Sequence, residues 1–187
     1  MEAPAKIILT TSRNPTPTMR AFCNDLRRVM PKAVRVNRGK MSVDEIAEKA
    51  LEHEADRVII VDRLYGGPGK IRFLIIGESG LLSIPPIISI ASIRLQREFG
   101  ISSFKPALSL VVFHSTASKE VVRFANALSN FLNIPILSMK AASKTNATVM
   151  RVWLGKGNRI EITFMVEPHH VEIGPRSAVS RIEWVKR

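Results

Sequence analysis

Short apolar runs rich in β-branched residues alternate with segments of helical periodicity along the first half of the chain, and this alternation restricts the fold more than any other feature. Each run is too short for a helix, while the segments between the runs space their apolar residues three and four apart. The resulting order is β-α-β-α-β-β, which is typical of an α/β layer structure. The predicted strands are 6–13, 33–38, 57–64 and 70–77.

Two helices are predicted between these strands. The first begins at Thr18, as its N-cap, and Pro31 stops it. The second covers 42–54, where Ser42 and Glu45 have the spacing of a capping box. We expect its buried stripe to comprise Val43, Ile46, Ala47, Ala50 and Leu51.

The second half repeats the strand-to-helix pattern. A strand over 108–115 precedes a helix from about Ala117 to Leu132, after which NIPIL and three longer segments read as strands. The first helix of the chain contains FCNDL (22–26) and this later helix contains FANAL (124–128), which agree at three of five positions. With the shared strand-turn-helix-Pro order, this agreement predicts two similar α/β halves related by internal duplication.

The charge balance indicates a polyanionic partner, because the formal net charge is +12 in a chain of ordinary globular hydrophobicity. Nucleic acid and an anionic membrane both qualify. The uncharged stretch LLSIPPIISIASI (81–93) is shorter than the roughly 20 residues that span a bilayer, and Pro85-Pro86 interrupts any helix there. The opening MEAPAK has no secretory pattern, so we expect a cytoplasmic protein without a membrane partner.

The positive charge is concentrated in residues 13–40, where eight cations accompany one acid. Six of the eight are arginines, whose planar guanidinium suits bidentate phosphate contacts. Gly39 follows Arg38 in a predicted turn, where a phosphate backbone can approach main-chain N–H groups. A solvated face that maintains solubility is the alternative explanation. Confinement of the charge to one structural unit favours phosphate binding, because the fields of clustered charges add.

RNA is favoured as the partner over duplex DNA recognised by its base sequence. The amino-acid sequence has no helix-turn-helix motif, zinc-finger spacing or basic zipper, which are the usual elements for reading duplex DNA. Aromatic residues make up 6% of the chain, and most phenylalanines lie at positions predicted to face the apolar core. Successive base stacking is therefore weakly supported, and recognition by shape and backbone contacts is the remaining mode.

Support for an enzyme, a cofactor or a metal is weak. YGGPGKI leads into a strand and lacks the Ser or Thr of a phosphate-binding loop. Asp62 ends the VIIVD strand, where α/β enzymes often keep a catalytic acid, but the sequence places no partner beside it. The neighbours His169 and His170 would point to opposite faces of a strand and make a poor ligand pair. We predict no catalytic residue, metal or cofactor.

Two motifs resemble the Brix-domain proteins of ribosome biogenesis. TSRNPTPTMRAFCNDLRRVMPKAVRVNRGK has that family's opening pattern of a strand ending in T-S-R, a Pro-containing turn, a helix ending near Pro and a strand ending in N-R-G. VEIGPRSAVSRIEWV resembles its closing E-x-G-P-R turn and last strand. The similarity runs from about Lys6 to Val185. The positions that match the family's motifs are Thr11, Ser12, Arg13, Pro15, Asn37, Arg38, Gly39, Gly174, Pro175 and Arg176.

The resemblance implies a single Brix-like domain over 1–187, with halves 5–88 and 105–187 and a connector 89–104, each half similar to the anticodon-binding domain of class II aminoacyl-tRNA synthetases. It also implies a non-enzymatic factor that binds ribosomal RNA precursors and assists rRNA processing and subunit assembly, with other assembly proteins as further partners. A chain without long charged extensions is similar to the bare domain of archaeal versions. The predicted RNA-binding residues are Arg13, Arg20, Arg27, Arg28, Arg35, Arg38, Gly39, Lys40 and Arg176.

Two alternatives from other functional classes stay open. A protein-protein adaptor would dock a partner on an exposed 81–93 segment, although this segment could equally be a buried linker between the halves. An RNA-modifying enzyme would use Asp62, for which the sequence supplies no cooperating group.

Overall fold

The computed structural model describes residues 4–64, 67–100, 108–113 and 118–184. These residues form one large mixed sheet and four α-helices, with short 3₁₀ helices at Gln96–Phe99 and Lys156–Asn158. The α-helices are α1 (Pro17–Val29), α2 (Val43–Glu52), α3 (Lys119–Leu132) and α4 (Met139–Ala142). The strands are β1 (Ile7–Thr11), β2 (Ala33–Arg35), β3 (Arg57–Leu64), β4 (Gly67–Gly77), β5 (Gly80–Arg94), β6 (Leu108–Phe113), β7 (Ile136–Ser138), β8 (Thr148–Leu154), β9 (Ile160–Val166), β10 (Val171–Glu172) and β11 (Arg176–Glu183).

The predicted order of the first half is confirmed, since β1, α1, β2, α2, β3 and β4 follow one another along the chain. The start of α1 was predicted wrongly, because the N-cap is Thr16 and not Thr18. The N–H of Met19 donates to Thr16 Oγ1 at 3.2 Å, and Pro17 is the first helical residue. Proline suits that position because its missing N–H would have no partner within the helix.

The start of α2 is the predicted capping box. The N–H of Glu45 donates to Ser42 Oγ at 3.1 Å, and the N–H of Ser42 donates to Glu45 Oε2 at 2.6 Å. The buried stripe is narrower than predicted, since Val43 is 37% and Leu51 is 62% exposed. Val43 is the first helical residue and Leu51 lies at the margin of the stripe, so the sheet covers neither. The residues that α2 buries are Ile46, Ala47 and Ala50.

The inward face predicted for the later helix is confirmed in α3. Its N-cap is Ser118, whose side chain accepts from the N–H of Val121. The predicted start at Ala117, the strand residues 114–115 and the hairpin residues 65–66 lie outside the described residues. The sequence pattern missed α4 and β10, because elements of four and two residues are too short for periodicity to reveal. It also missed β5, because the pair Pro85-Pro86 argues against a strand in the interior of a sheet. The predicted inward residues, all buried, are Val121, Phe124, Ala125, Leu128 and Leu132.

The strand order in the sheet is β2-β1-β3-β4-β5-β11-β9-β8-β6-β7, with β10 attached to β9. β1 pairs in parallel with β2 and β3, and β6 pairs in parallel with β7 and β8. The remaining pairs are antiparallel. Counted inward from its outer edge, each half therefore has the same arrangement: three parallel strands followed by two that pair in antiparallel fashion. The series are β2-β1-β3-β4-β5 and β7-β6-β8-β9-β11. A common origin of the halves stays a prediction.

The 81–93 segment lies within β5, the strand that joins the two halves of the sheet. One edge of β5 pairs with β4, including Ile71 with Ile88, and the other pairs with β11, including Ile182 with Ile88. Both edges are hydrogen-bonded over 88–90, where Ile88 and Ile90 are buried, whereas Leu82 is 40% exposed. The segment is therefore part of the sheet, and docking of a partner on its exposed residues stays a prediction. Residue 88, at which the N-terminal half was predicted to end, lies inside this strand.

α1 and α3 pack on one face of the sheet, the α1–α3 face, over one apolar core that spans both halves. The two phenylalanines shared by FCNDL and FANAL, Phe22 and Phe124, are 2% and 0% exposed there. Phe73 of β4 contacts Phe131 of α3 edge to face, with ring centroids 4.9 Å apart. Because Phe73 and Phe131 come from different halves, this core fixes the halves to each other.

The opposite face, the α2–α4 face, carries two smaller apolar cores. One lies beneath α2 and includes Ile8, Val58 and Leu74, and the other lies beneath α4 and includes Val112 and Val149. Side chains alternate along strands, so residues two and four positions from these core residues point to the same face. Between the two cores the strands therefore present a polar strip, which includes the side chains of Asp62, Lys70, Arg72, Ser89, Arg94, Arg151, Glu161, Thr163, Glu172 and Arg176.

A buried carboxylate attaches α1 to the connection that follows β5. Asp25 is 6% exposed, and its Oδ2 accepts from the N–H of Gln96 at 2.8 Å. Burial raises the pKa of the Asp25 carboxyl, and the hydrogen bond from Gln96 and the charge of Arg28 oppose this shift. The Arg28 guanidinium is 3.6 Å away but mostly exposed, so water screens its attraction.

We predict different effects for Asp25→Asn and Asp25→Ala. Alanine leaves the Gln96 N–H without its acceptor, which should lower the free energy of unfolding by about 1–3 kcal/mol, whereas asparagine keeps an acceptor oxygen. A raised folded pKa means that Asp25 supports the fold fully below its ordinary pKa of 3.8 and less as pH rises through the folded value. Urea unfolding across pH should therefore show Asp25→Asn gaining on the wild type as pH rises. Equal losses for both variants at every pH would contradict this assignment.

Candidate nucleic-acid interface

The loop after β2 is organised by a buried arginine. Arg38 is 8% exposed, and its Nε donates to the carbonyl of Met41 at 2.7 Å. Burial and the nearby Arg13 lower the pKa of the Arg38 guanidinium, while Asp62 acts in the opposite direction. Arg38 therefore holds the loop in shape, and the accessible charge nearby belongs to the exposed Arg13 and Lys40.

Gly39 lies in a turn and has left-handed backbone geometry. Its φ is +52°, in the left-handed region that other residues adopt only at a cost. A Cβ placed at Gly39 would meet no atom within 4 Å. The loop is therefore open at this position, and contact of Gly39 with a phosphate backbone stays a prediction.

Beside this loop, the N-terminal half of the polar strip carries a group of cations around one acid. Arg72 donates through Nε to the carboxylate of Asp62, and both side chains are partly exposed. Lys70 lies directly opposite Asp62 on β3 and opposite Ser89 on β5. With Arg13 from the loop after β1 and Arg38 from the loop after β2, they form the N-terminal cationic group, which consists of Arg13, Arg38, Lys70 and Arg72.

The C-terminal half of the strip carries a second cationic group, formed by Arg94, Arg151 and Arg176. Arg176 donates from Nε to Glu172 Oε1 at 2.7 Å and from Nη2 to Glu172 Oε2, which fixes the guanidinium plane. Burial acts to raise the pKa of the Glu172 carboxyl, but hydrogen bonds from Arg176 and Thr163 outweigh it and hold the pKa below its usual value. Arg94 lies opposite Arg176 across β5 and β11.

The structure distributes the predicted RNA-binding residues over both faces of the sheet. Arg20, Arg27 and Arg28 lie on the exposed side of α1, and Arg35 donates to Asn24 of the same helix. Arg13 and Arg38 lie instead near the polar strip, and so does Arg176 from the other half. The nine predicted residues do not form one surface, because β2 sends Arg35 towards α1 whereas the following loop turns to the other face. Their role in RNA binding stays a prediction.

The sequence pattern missed four cations of the polar strip. Lys70 and Arg72 alternate with the buried Ile71 and Phe73, so the signal was present in KIRFLIIG as single cations on one face of a strand. Arg94 and Arg151 lie far apart in sequence, and only the sheet brings them to the same side as Arg176. No local pattern could have grouped those three residues.

The remaining candidates form no catalytic or metal-binding arrangement in the described part of the chain. Asp62 is paired with Arg72, and His170 Nδ1 lies 2.7 Å from Oε2 of the buried Glu167, whereas His169 is exposed. Among the described residues, no three His, Cys, Asp or Glu side chains are grouped as metal ligands would be. No helix of this part of the chain combines the length and the apolar character needed to cross a membrane.

Comparison with known proteins identifies relatives over most of the chain. A probable Brix domain-containing ribosomal biogenesis protein of Aeropyrum pernix is 30% identical over 145 residues, which cover 75% of this chain and 79% of that protein. A probable protein of the same description from Thermococcus kodakarensis is 29% identical over 115 residues, covering 62% of this chain and 55% of the relative's length. The chain thus spans only about half of some curated relatives that it matches. No family model matches the chain.

The fold itself has a solved counterpart. The crystal structure of the probable ribosomal biogenesis protein from Aeropyrum pernix superimposes with a TM-score of 0.79 at 26% identity, covering 97% of this chain and 99% of that one. The sheet and its helices are therefore shared with that protein.

We predict that Glu172→Gln destabilises the protein in a pH-dependent manner. The variant loses the charge-assisted hydrogen bonds to Arg176, which should cost about 1–2 kcal/mol at neutral pH. Because the folded pKa of Glu172 is lowered, the contribution is present above its ordinary pKa of 4.5 and is lost as pH falls through the folded value. Urea unfolding of the wild type and of Glu172→Gln between neutral and acidic pH measures the difference in their free energies of unfolding. A difference that stays constant down to acid pH would contradict it.

Proposed function

Since the chain belongs to the Brix-domain family of ribosomal biogenesis proteins, we propose that it is a non-enzymatic factor that binds ribosomal RNA precursors. In this proposal it assists rRNA processing and subunit assembly in the cytoplasm, together with other assembly proteins. The contact surface is the polar strip of the α2–α4 face with its two cationic groups.

The observation that carries the proposal is the convergence of cations from both halves on one face of a continuous sheet. The N-terminal group comes from the loop regions after β1 and β2 and from β4, while the C-terminal group comes from β5, β8 and β11. Charges that share a face add their potentials, and arginines held in fixed planes suit phosphate oxygens. The acids of the strip orient individual arginines and leave the exposed Arg13 and Arg94 accessible.

A non-enzymatic role is supported by what the candidate acids do. Asp62 neutralises Arg72, and Glu172 holds Arg176, so both carboxylates already serve the arrangement of cations. General acid or base catalysis requires a side chain that has a suitable pKa and lies within hydrogen-bond reach of the substrate proton. Nothing in the strip supports that use of these acids over their structural one.

We also propose that the two halves arose by duplication of a unit similar to the anticodon-binding domain of class II aminoacyl-tRNA synthetases. The matching strand order from each edge supports this, as does the matching position of Phe22 on α1 and Phe124 on α3.

The test compares charge removal on the two faces. Arg13→Ala with Lys70→Ala removes two cations from the strip, and the matched control, Arg20→Ala with Arg27→Ala, removes two exposed cations from α1. Binding of a structured ribosomal RNA fragment is measured by fluorescence anisotropy over a series of KCl concentrations. The strip variant should reduce the slope of log K against log salt by about 1.5, since each lost phosphate contact removes about 0.7–0.9.

The control variant should bind with nearly the wild-type slope. If the α1 variant shows the reduced slope and the strip variant keeps the wild-type slope, the RNA contacts the α1–α3 face instead. If the wild-type protein binds structured RNA no better than a neutral polymer at low salt, the RNA-binding function itself is wrong.

A further inference from the structure

Five side chains at the C-terminal end of the polar strip form a ladder in which cations and aromatic rings alternate. The Cζ of Arg94 lies 4.1 Å from the ring centroid of Phe99, and the Cζ of Arg176 lies 6.0 Å from the same ring. On the other side, the Cζ of Arg176 is 5.8 Å and that of Arg151 is 5.0 Å from the ring of Trp153. The order is therefore Arg94, Phe99, Arg176, Trp153 and Arg151.

Neighbouring groups fix the planes of this ladder. Glu172 binds the guanidinium of Arg176 in bidentate fashion, and an Nη of Arg94 donates to the carbonyl of Glu98 at 2.9 Å. Gly174 lets Phe99 lie close to the chain, because a Cβ at position 174 would come within 2.5 Å of the Phe99 ring. Arg94, Phe99 and Arg176 are thus held in place before any ligand arrives.

The ladder is separate from the apolar cores. Among the described residues, neither Trp153 nor Phe99 belongs to a core or packs against one, whereas Trp184 packs against the core of the α1–α3 face. Trp153 and Phe99 are half-buried and Arg94 is exposed. A ligand bound along the polar strip can therefore reach the ladder. Part of the Trp153 residue is exposed and it belongs to no described apolar core, so another planar group can contact it.

We propose that this ladder is a subsite for an unpaired nucleobase of bound RNA, with the base stacking on Trp153 and the adjacent phosphates lying near Arg151 and Arg94. The proposal rests on RNA binding by the polar strip and adds a base contact to the backbone contacts proposed there. Tryptophan rings and guanidinium planes both accept a stacked base of any sequence, because every base has a π face. The subsite therefore selects single-stranded segments, such as loops or bulges, without reading their sequence.

The two tryptophans of the chain allow a direct optical test. In a Trp184→Phe background, Trp153 is the sole tryptophan, and a stacked base should quench its fluorescence. The titrants are a single-stranded oligoribonucleotide, an abasic oligomer with the same number of phosphates, and a fully paired duplex of the same length. Quenching is expected with the single strand alone, and Trp153→Phe, which leaves Trp184 as the reporter, should show none.

Affinity measurements complete the test. Trp153→Ala should weaken binding of the single strand about tenfold and leave the abasic oligomer and the duplex unchanged, while Trp153→Phe retains most of the affinity. Thermal unfolding checks that each variant folds. Binding that depends on salt but produces no quenching overturns the base subsite while the RNA-binding function stands. An equal loss for the abasic oligomer also overturns it, since Trp153 would then act only by orienting arginines. Absence of all RNA binding overturns both.

Discussion

The hydrogen bonding of β5 along both of its edges is the constraint on which the rest of the structure depends. Ile88 is paired with Ile71 of β4 on one side and with Ile182 of β11 on the other. A strand paired on both edges satisfies its backbone N–H and carbonyl groups and leaves no free edge in the middle of the molecule. The two halves therefore share one sheet, whose outer strands, β2 and β7, have three residues each.

A continuous sheet gives the two faces different roles. On the α1–α3 face a single apolar core crosses from one half to the other, and the edge-to-face contact of Phe73 with Phe131 lies within it. On the α2–α4 face the apolar cores stay beneath their own helices, which leaves the middle to polar side chains. The separation follows from helix placement, because α1 and α3 bury the side on which the halves meet. The opposite side is free to carry charge.

Arginines serve two purposes in this arrangement, and burial distinguishes them. Arg38 is nearly inaccessible and bonded to the carbonyl of Met41, so its contribution is to the shape of the loop. Arg176 is more exposed, but Glu172 fixes its plane. Rigid guanidinium groups lose less conformational entropy on binding a planar or anionic partner than free ones do. The acids of the strip thus organise its cations without cancelling all of their charge.

The amino-acid sequence by itself determined the local elements. The capping box of Ser42 and Glu45, the inward stripe of α3 and the order of elements from β1 to β4 all depend on residues a few positions apart, where spacing is informative. The start of α1 and the exposure of Leu51 were misjudged because competing caps and stripe margins differ by small energies. The family resemblance also followed from contiguous motifs at the two ends of the chain.

Only the tertiary structure decided which cations share a surface. Residues 13–40 form one cationic run in the sequence, yet the chain passes from one face of the sheet to the other between Arg35 and Arg38. Conversely, Arg94 and Arg176 are distant in sequence and become neighbours through the pairing of β5 with β11. Strand pairing depends on contacts between distant segments, and no local spacing encodes it. For that reason the sequence indicated the charge of the binding surface, and the sheet determined its position.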